Sequence, residues 1–196
     1  MQKHIKMKFK KEMRIIGIDD SPFDKFKAPK SKVLVVGVIT RGGASIEGVL
    51  SAKVRIDGSD SAKKIIGMIN KCKFRPQLQC IFLNGIAVAG FNVVDITELN
   101  KKTDLPVIVI IRKMPDIEKI KNTLKKINQK NKIKLIEKAG QVKNIGTVFV
   151  QLAGIDLERT EKIMKIACTN SLVPEPLRLA HLIASGIVDG QSRGRA

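Results

Sequence analysis

At 196 residues the chain is long enough for one full-sized domain and short for two. Hydrophobic residues make up 43%, which is enough to fill a core and excludes a disordered basic tail; no apolar run approaches the ~18 residues of a membrane-spanning helix. Lys and Arg number 37 against 18 Asp and Glu, so the formal net charge is +19, an attractive field for polyanions that favours phosphate contacts through counterion release.

The first residues, MQKHIKMKFKKEM, are basic but carry no long apolar run before a small-residue cleavage site, so a secretory leader is not expected. Residues 1–11 read as a basic leader and residues 12–196 as one domain. Arg14 to Ile18 is a short apolar run ending at Asp19-Asp20. Lys32 to Thr40 (KVLVVGVIT) reads as a buried strand, Arg41-Gly42-Gly43 as a turn, and Ile46 to Ile56 as a third strand. Short links between the three predict an antiparallel meander.

From Asp60 the pattern changes to helical spacing, with Ala62, Ile65, Ile66 and Ile69 on one stripe and Ser59 or Asp60 as N-cap. A strand at Gln79–Leu83, a helix over 92–102, a strand at Pro106–Ile111 and a helix over 116–128 follow. That alternation predicts a parallel half-sheet with right-handed crossovers. Ile133 to Ile136 reads as a short edge segment, Thr147 to Leu152 as a strand, and Glu158–Thr169 and Pro176–Ser185 as closing helices. The order predicts an α/β fold of the ribonuclease H-like kind: a mixed sheet, three antiparallel strands and then parallel ones, flanked by helices.

Three cysteines, Cys72, Cys80 and Cys168, lack CxxC spacing and read as small hydrophobes of a reducing cytoplasm. The basic residues cluster at Lys3–Lys11, Lys25–Lys32 and Lys119–Lys138, and nucleic acid is the expected partner. With seven Phe and neither Trp nor Tyr, a base-stacking platform is poorly supplied, so contacts to the backbone are expected instead.

Asp19 and Asp20 close the first strand. Adjacent anions there suit either a solvated turn or a hard divalent cation. Asn84-Gly85 ends the QCIFL strand, where a parallel sheet lines its ligand crevice, and it reads equally as a glycine-assisted turn. Asp60 is a helix cap or a metal ligand. If the fold gathers Asp19, Asp60 and Asn84, their oxygens supply what two-metal phosphodiester hydrolysis needs, and Arg112 and Lys113 either meet phosphate at the same rim or are ordinary surface charge. His181, in RLAHLIASG, reads as a core or surface residue; with His4 it is one of only two histidines, so a His-driven triad has little material.

The segments Ile16-Gly17-Ile18-Asp19-Asp20, IFLNGIAVAGFNVVDI from Ile81 to Ile96, VPEPLRLAHLIASG from Val173 to Gly186 and SRGRA from Ser192 to Ala196 resemble an archaeal family, endonuclease dU, related to endonuclease V. The resemblance spans about residues 12–196. It implies a ribonuclease H-like fold and hydrolysis of phosphodiester bonds near deaminated bases, deoxyuridine or inosine, in DNA or RNA with Mg²⁺ or Mn²⁺, a DNA-repair activity. It places the first-strand catalytic Asp at Asp19, with Asp20 beside it. The acidic residue near the first helix falls on Asp60, with Asp57 as a second position, and the phosphate-side Lys near Lys113. The second-strand Asp falls on Asn84, and that is a departure: an amide offers a neutral oxygen in place of an anion. It leaves open a nucleic-acid-binding protein of the same fold that does not cut.

Overall fold

The computed structural model describes residues 9–24 and 31–192. His4 and Lys3 to Lys8 of the leader, residues 25–30 of the second lysine cluster and residues 193–196 of the tail lie outside the described residues.

Strands β1 (Arg14–Asp20), β2 (Lys32–Arg41) and β3 (Ser45–Arg55) form the antiparallel meander; helix α1 (Ser61–Asn70) leads to β4 (Leu78–Asn84). A small hairpin, β5 (Ala87–Val88) and β6 (Asn92–Val93), precedes α2 (Ile96–Thr103) and β7 (Val107–Ile111). Then come α3 (Ile117–Lys126), α4 (Ile133–Lys138), β8 (Lys143–Ile145), β9 (Val148–Ala153), α5 (Leu157–Ala167) and α6 (Glu175–Asp189). The main sheet has the order β3-β2-β1-β4-β7-β9-β8. β1, β4 and β7 are parallel, and β2, β3, β8 and β9 are joined antiparallel. This is the mixed, ribonuclease H-like sheet read from the element order.

β1 lies inside it, between β2 and β4, and Ile15, Ile16 and Ile18 are all fully buried, because an interior strand with helices on both faces has no solvent side. One face packs Ile16, Ile18 and Ile81 on Ile65 and Ile69 of α1 and Leu99 of α2. The other packs Ile15 and Phe82 on Ile163 of α5 and Leu177 of α6, while Val36 and Val38 of β2 meet Ala180 and Ala184 of α6. No helix among the described residues is long and apolar enough to cross a membrane.

Two expectations are corrected. The helix expected over 92–102 begins at Ile96, where the Asp95 side chain accepts from the Glu98 N–H (2.9 Å); Asn92-Val93 instead pairs with Ala87-Val88 around Ala89-Gly90, both at positive φ. Ile133–Ile136 is not an edge segment but part of α4, with Ile136 buried on Leu124 and Val93; in so short a stretch Ile133 and Leu135 fit the strand period while Ile133 and Ile136 fit the helical one. The sheet edge is instead β8, whose polar KNI carries no strand signal and is turned back onto β9 at Gly146 (φ +58°).

Candidate functional site

Parallel pairing of β1 with β4 aligns Ile18 with Leu83, so the next residues, Asp19 and Asn84, end side by side. The Asn84 Nδ2 donates to Asp19 Oδ2 at 3.0 Å. Asp19 is 3% exposed, and its Oδ1 accepts the Asp20 N–H at 3.0 Å.

The third partner comes from α6. A Cβ on Gly17 would lie 2.3 Å from the Leu177 nitrogen, so only glycine lets the start of α6 rest on β1. From that contact, two strand residues (~6.6 Å) reach Asp19 and four helix residues (~6 Å) reach His181. The matched rises bring His181 Nδ1 to 2.9 Å from Asp19 Oδ2. His181 is thus not a bystander of core or surface, as its sequence neighbourhood suggested, but a member of this cluster. Its signal was its place on the stripe of Leu177, Ala180 and Ala184, which faces the sheet.

Asp20 points to the opposite face, where its Oδ2 accepts from the Ala89 N–H at 2.7 Å. Burial pushes its carboxyl up to about 6; the Ala89 N–H opposes this and the Asp19 charge adds to it. The hairpin tip is itself held. The Asp57 N–H donates to the Ala89 carbonyl (2.9 Å), and Asp57 Oδ1 accepts from the Phe91 N–H (2.7 Å). Lys132, 3% exposed, donates to the carbonyls of Asp57 and Phe91, both at 2.6 Å. Nothing in the sequence marks Lys132 among so many lysines.

Asp60 does not join Asp19. It accepts from Asn92 Nδ2 (2.8 Å) and the Arg55 N–H (3.2 Å) and pairs with the Arg55 guanidinium (3.4 Å). Burial would raise its carboxyl, but the Asn92 and Arg55 contacts outweigh that and hold it below the usual range. Nor does Asp60 cap α1 through its side chain; Asn92 Oδ1 takes the Ser61 N–H instead, at 3.1 Å. Asp57, the second position considered, is bound to the hairpin. Arg112 and Lys113 are exposed just past the end of β7, where the Gly85 N–H meets the Ile110 carbonyl.

Among the described residues no group of three or more His, Cys, Asp or Glu is arranged as a metal site. Among the described residues Asp19 and Asp20 have no Lys or Arg as ion-pair partner; the basic group beside Asp19 is the His181 imidazole. The buried Asp19 carboxylate, with the Asn84 amide and the His181 imidazole beside it, offers donors to a hard divalent cation; Asp20, turned to the other face and held by the Ala89 N–H, does not complete that set. These donors do not amount to the four-residue set of Asp19, Asp20, Asp60 and Asn84.

The family model for endonuclease dU matches residues 11–188. A UPF0215 protein of Methanothermobacter thermautotrophicus is 45% identical over 203 residues, covering 100% of this chain and 98% of its own length. One from Methanosarcina mazei is 44% identical over 95% of this chain and 96% of its own. The crystal structure of a protein of unknown function from Archaeoglobus fulgidus superposes with a TM-score of 0.82 at 40% identity, covering 89% of this chain and 97% of that one. Endonuclease V of Ciona intestinalis, in complex with a DNA containing an inosine followed by a ribo-adenosine, shares the fold with a TM-score of 0.59 at 16% identity, over 91% and 87% of the two chains. With a model match over nearly its whole length and full-length relatives above 40% identity, this chain belongs to the endonuclease dU family.

Proposed function

We propose that the protein is a divalent-metal-dependent endonuclease that hydrolyses phosphodiester bonds in DNA or RNA beside a deaminated base, deoxyuridine or inosine, in the service of DNA repair. The observation that carries the reading is Asp19, buried near the carboxyl end of β1 and contacted by both Asn84 and His181. Family membership and the +19 charge support it, as does a fold shared with an endonuclease V solved with inosine-containing DNA.

The Asp19 carboxylate would be the first ligand of Mg²⁺ or Mn²⁺, with the Asn84 amide oxygen as a neutral donor; Asp20 would join only by leaving the Ala89 N–H. The ion would supply Lewis acidity toward the phosphate and lower the pKa of a water. Asn84 and His181 fix the Asp19 carboxylate from two sides, so it meets the substrate without reorganising. Lys113, exposed beyond β7, would meet phosphate on the same rim; Asp60, engaged by Asn92 and Arg55, has no part in this scheme unless those contacts open.

A second reading, a nucleic-acid-binding protein that does not cut, is favoured by Asn84 standing where the resemblance expects Asp. End-labelled oligonucleotides carrying uracil or hypoxanthine, with undamaged controls, separate the two. Metal-dependent cutting near the lesion, lost in Asp19→Ala, supports the enzyme. Salt-sensitive binding without cutting, unchanged in Asp19→Ala, refutes it.

A further inference from the structure

Away from Asp19, an open groove of about 540 Å³ runs between β3 and α1. Its floor includes Leu50 and Ser51 of β3, the outer strand of the sheet, and its wall carries Lys63, Lys64 and Lys71, all exposed. Several lysines elsewhere have carboxylates to meet: Lys121 pairs with Glu118 and Glu137, Lys138 with Asp95, and Lys162 with Glu158. The groove has no such supply. From Ser61 to Val94 the chain contains no Asp or Glu, and the only acid on β3, Glu47, is held between Arg14 and Arg41.

Gly67 adds a second observation. A glycine inside a helix weakens it relative to alanine, and such residues usually repay the weakness by letting a neighbour approach. Here a Cβ would meet nothing within 4 Å; the residue faces the groove and packs on nothing. It leaves the wall low between Lys64 and Lys71, which two helical turns set ~10 Å apart. A chain of contacts links its α1 wall to the site described above: Ser61, at the start of that helix, hydrogen-bonds Asn92 of the hairpin whose Ala89 N–H holds Asp20.

We propose that this groove carries the phosphate backbone of the nucleic-acid strand leading away from the Asp19 site, a proposal that rests on the nucleic-acid reading of that site but not on cleavage. Its three ammonium groups contact phosphates. No aromatic side chain lines it, so the contact is blind to sequence and to the lesion.

Binding of undamaged short and long oligonucleotides in EDTA, across a salt series, tests this without catalysis. In Lys63→Gln/Lys64→Gln/Lys71→Gln the slope of log K against log salt on the long oligonucleotide should shrink by roughly 2 to 3, at ~0.7–0.9 per lost phosphate contact. The affinity gained by lengthening the oligonucleotide should shrink with it. The Arg triple at the same positions should keep the wild-type slope. Lys119→Gln/Lys125→Gln/Lys126→Gln, an equal charge change on exposed positions of α3, should reduce it far less. Equal losses from the two Gln triples would reduce the effect to net charge and overturn the proposal. So would an unchanged slope in the groove variant, or a lost slope in the Arg variant. Lesion cleavage on short oligonucleotides is read separately, so failure of the groove and failure of the nuclease reading are distinguishable.

Discussion

Gly17→Ala should separate the packing of α6 from the chemistry at Asp19. The new methyl would sit 2.3 Å from the Leu177 nitrogen and the Pro176 carbonyl carbon, whereas ordinary contacts begin near 3.4 Å. The helix must therefore lift by about 1 Å, and because both clashing atoms are backbone, no rotamer change relieves it. Overpacking of this kind costs about 1–3 kcal/mol, and a rigid contact belongs at the upper end. For a chain of this size that lowers Tm by roughly 6–12 °C. The same lift stretches the 2.9 Å contact from His181 to Asp19 beyond hydrogen-bonding distance. Cleavage of a uracil-containing oligonucleotide, assayed well below the variant's Tm, should then fall to the level of His181→Ala. Gly37→Ala is the control: its methyl meets only the ends of the Ile16 and Met68 side chains, at 3.0 and 3.1 Å, which can move aside, so it should cost about 1 kcal/mol or less. A Gly17→Ala protein that melts within a degree of wild type, or one that is destabilised yet cleaves as well as wild type, would refute the reasoning.

Asn84→Asp replaces the amide that donates to Asp19 at 3.0 Å with a second anion, so in EDTA near pH 8 the variant should melt below wild type. Added Mg²⁺ should raise its Tm by more than it raises the wild type's, and cleavage should increase; equal Mg²⁺ shifts would remove position 84 from the metal site. Lys132→Met removes the ammonium that the partly buried Asp57 and Phe91 carbonyls share, leaving the latter with the Val93 N–H. A loss of about 1–3 kcal/mol is expected, with faster hydrogen exchange at the Ala89 and Phe91 amides, and unchanged exchange there would show that the ammonium does not hold the hairpin. Hydrogen bonds from Arg178 hold the Glu175 carboxyl below its ordinary 4.5, against burial, so the folded state is stabilised while Glu175 is ionised and loses that contribution as pH falls through the lowered value. Urea melts should find Glu175→Gln weaker than wild type at pH 7, with the gap closing below pH 4.5; a gap that persisted at low pH would assign the effect to packing.

Much of this architecture was legible because strong local patterns agreed with one another. Near-continuous apolar runs such as those within RIIGI and KVLVVGVIT have no solvent face and belong in the interior of a sheet, and the element order that followed was enough to name the fold. What was misread lay where local signals are weak or short: β8 is three residues of mostly polar chain, α4 is six residues long, and the helix expected from Asn92 is postponed by a hairpin held by residues distant in sequence, Asp20, Asp57 and Lys132.

The candidate site divides along the same line. Asp19, Asp20 and Asn84 stand at strand ends, so residue type and position alone marked them, and the +19 charge announced a polyanionic partner through nothing but composition. Which of them meet, and with what, depends on contacts between residues far apart in the chain. His181 reaches Asp19 across 162 residues because Gly17 allows α6 to rest on β1, while Asp60, far nearer in sequence, is turned away by Asn92 and Arg55. Local chemistry sets which groups are available to react; strand register and helix approach, which no short window of sequence contains, set which of them share a site.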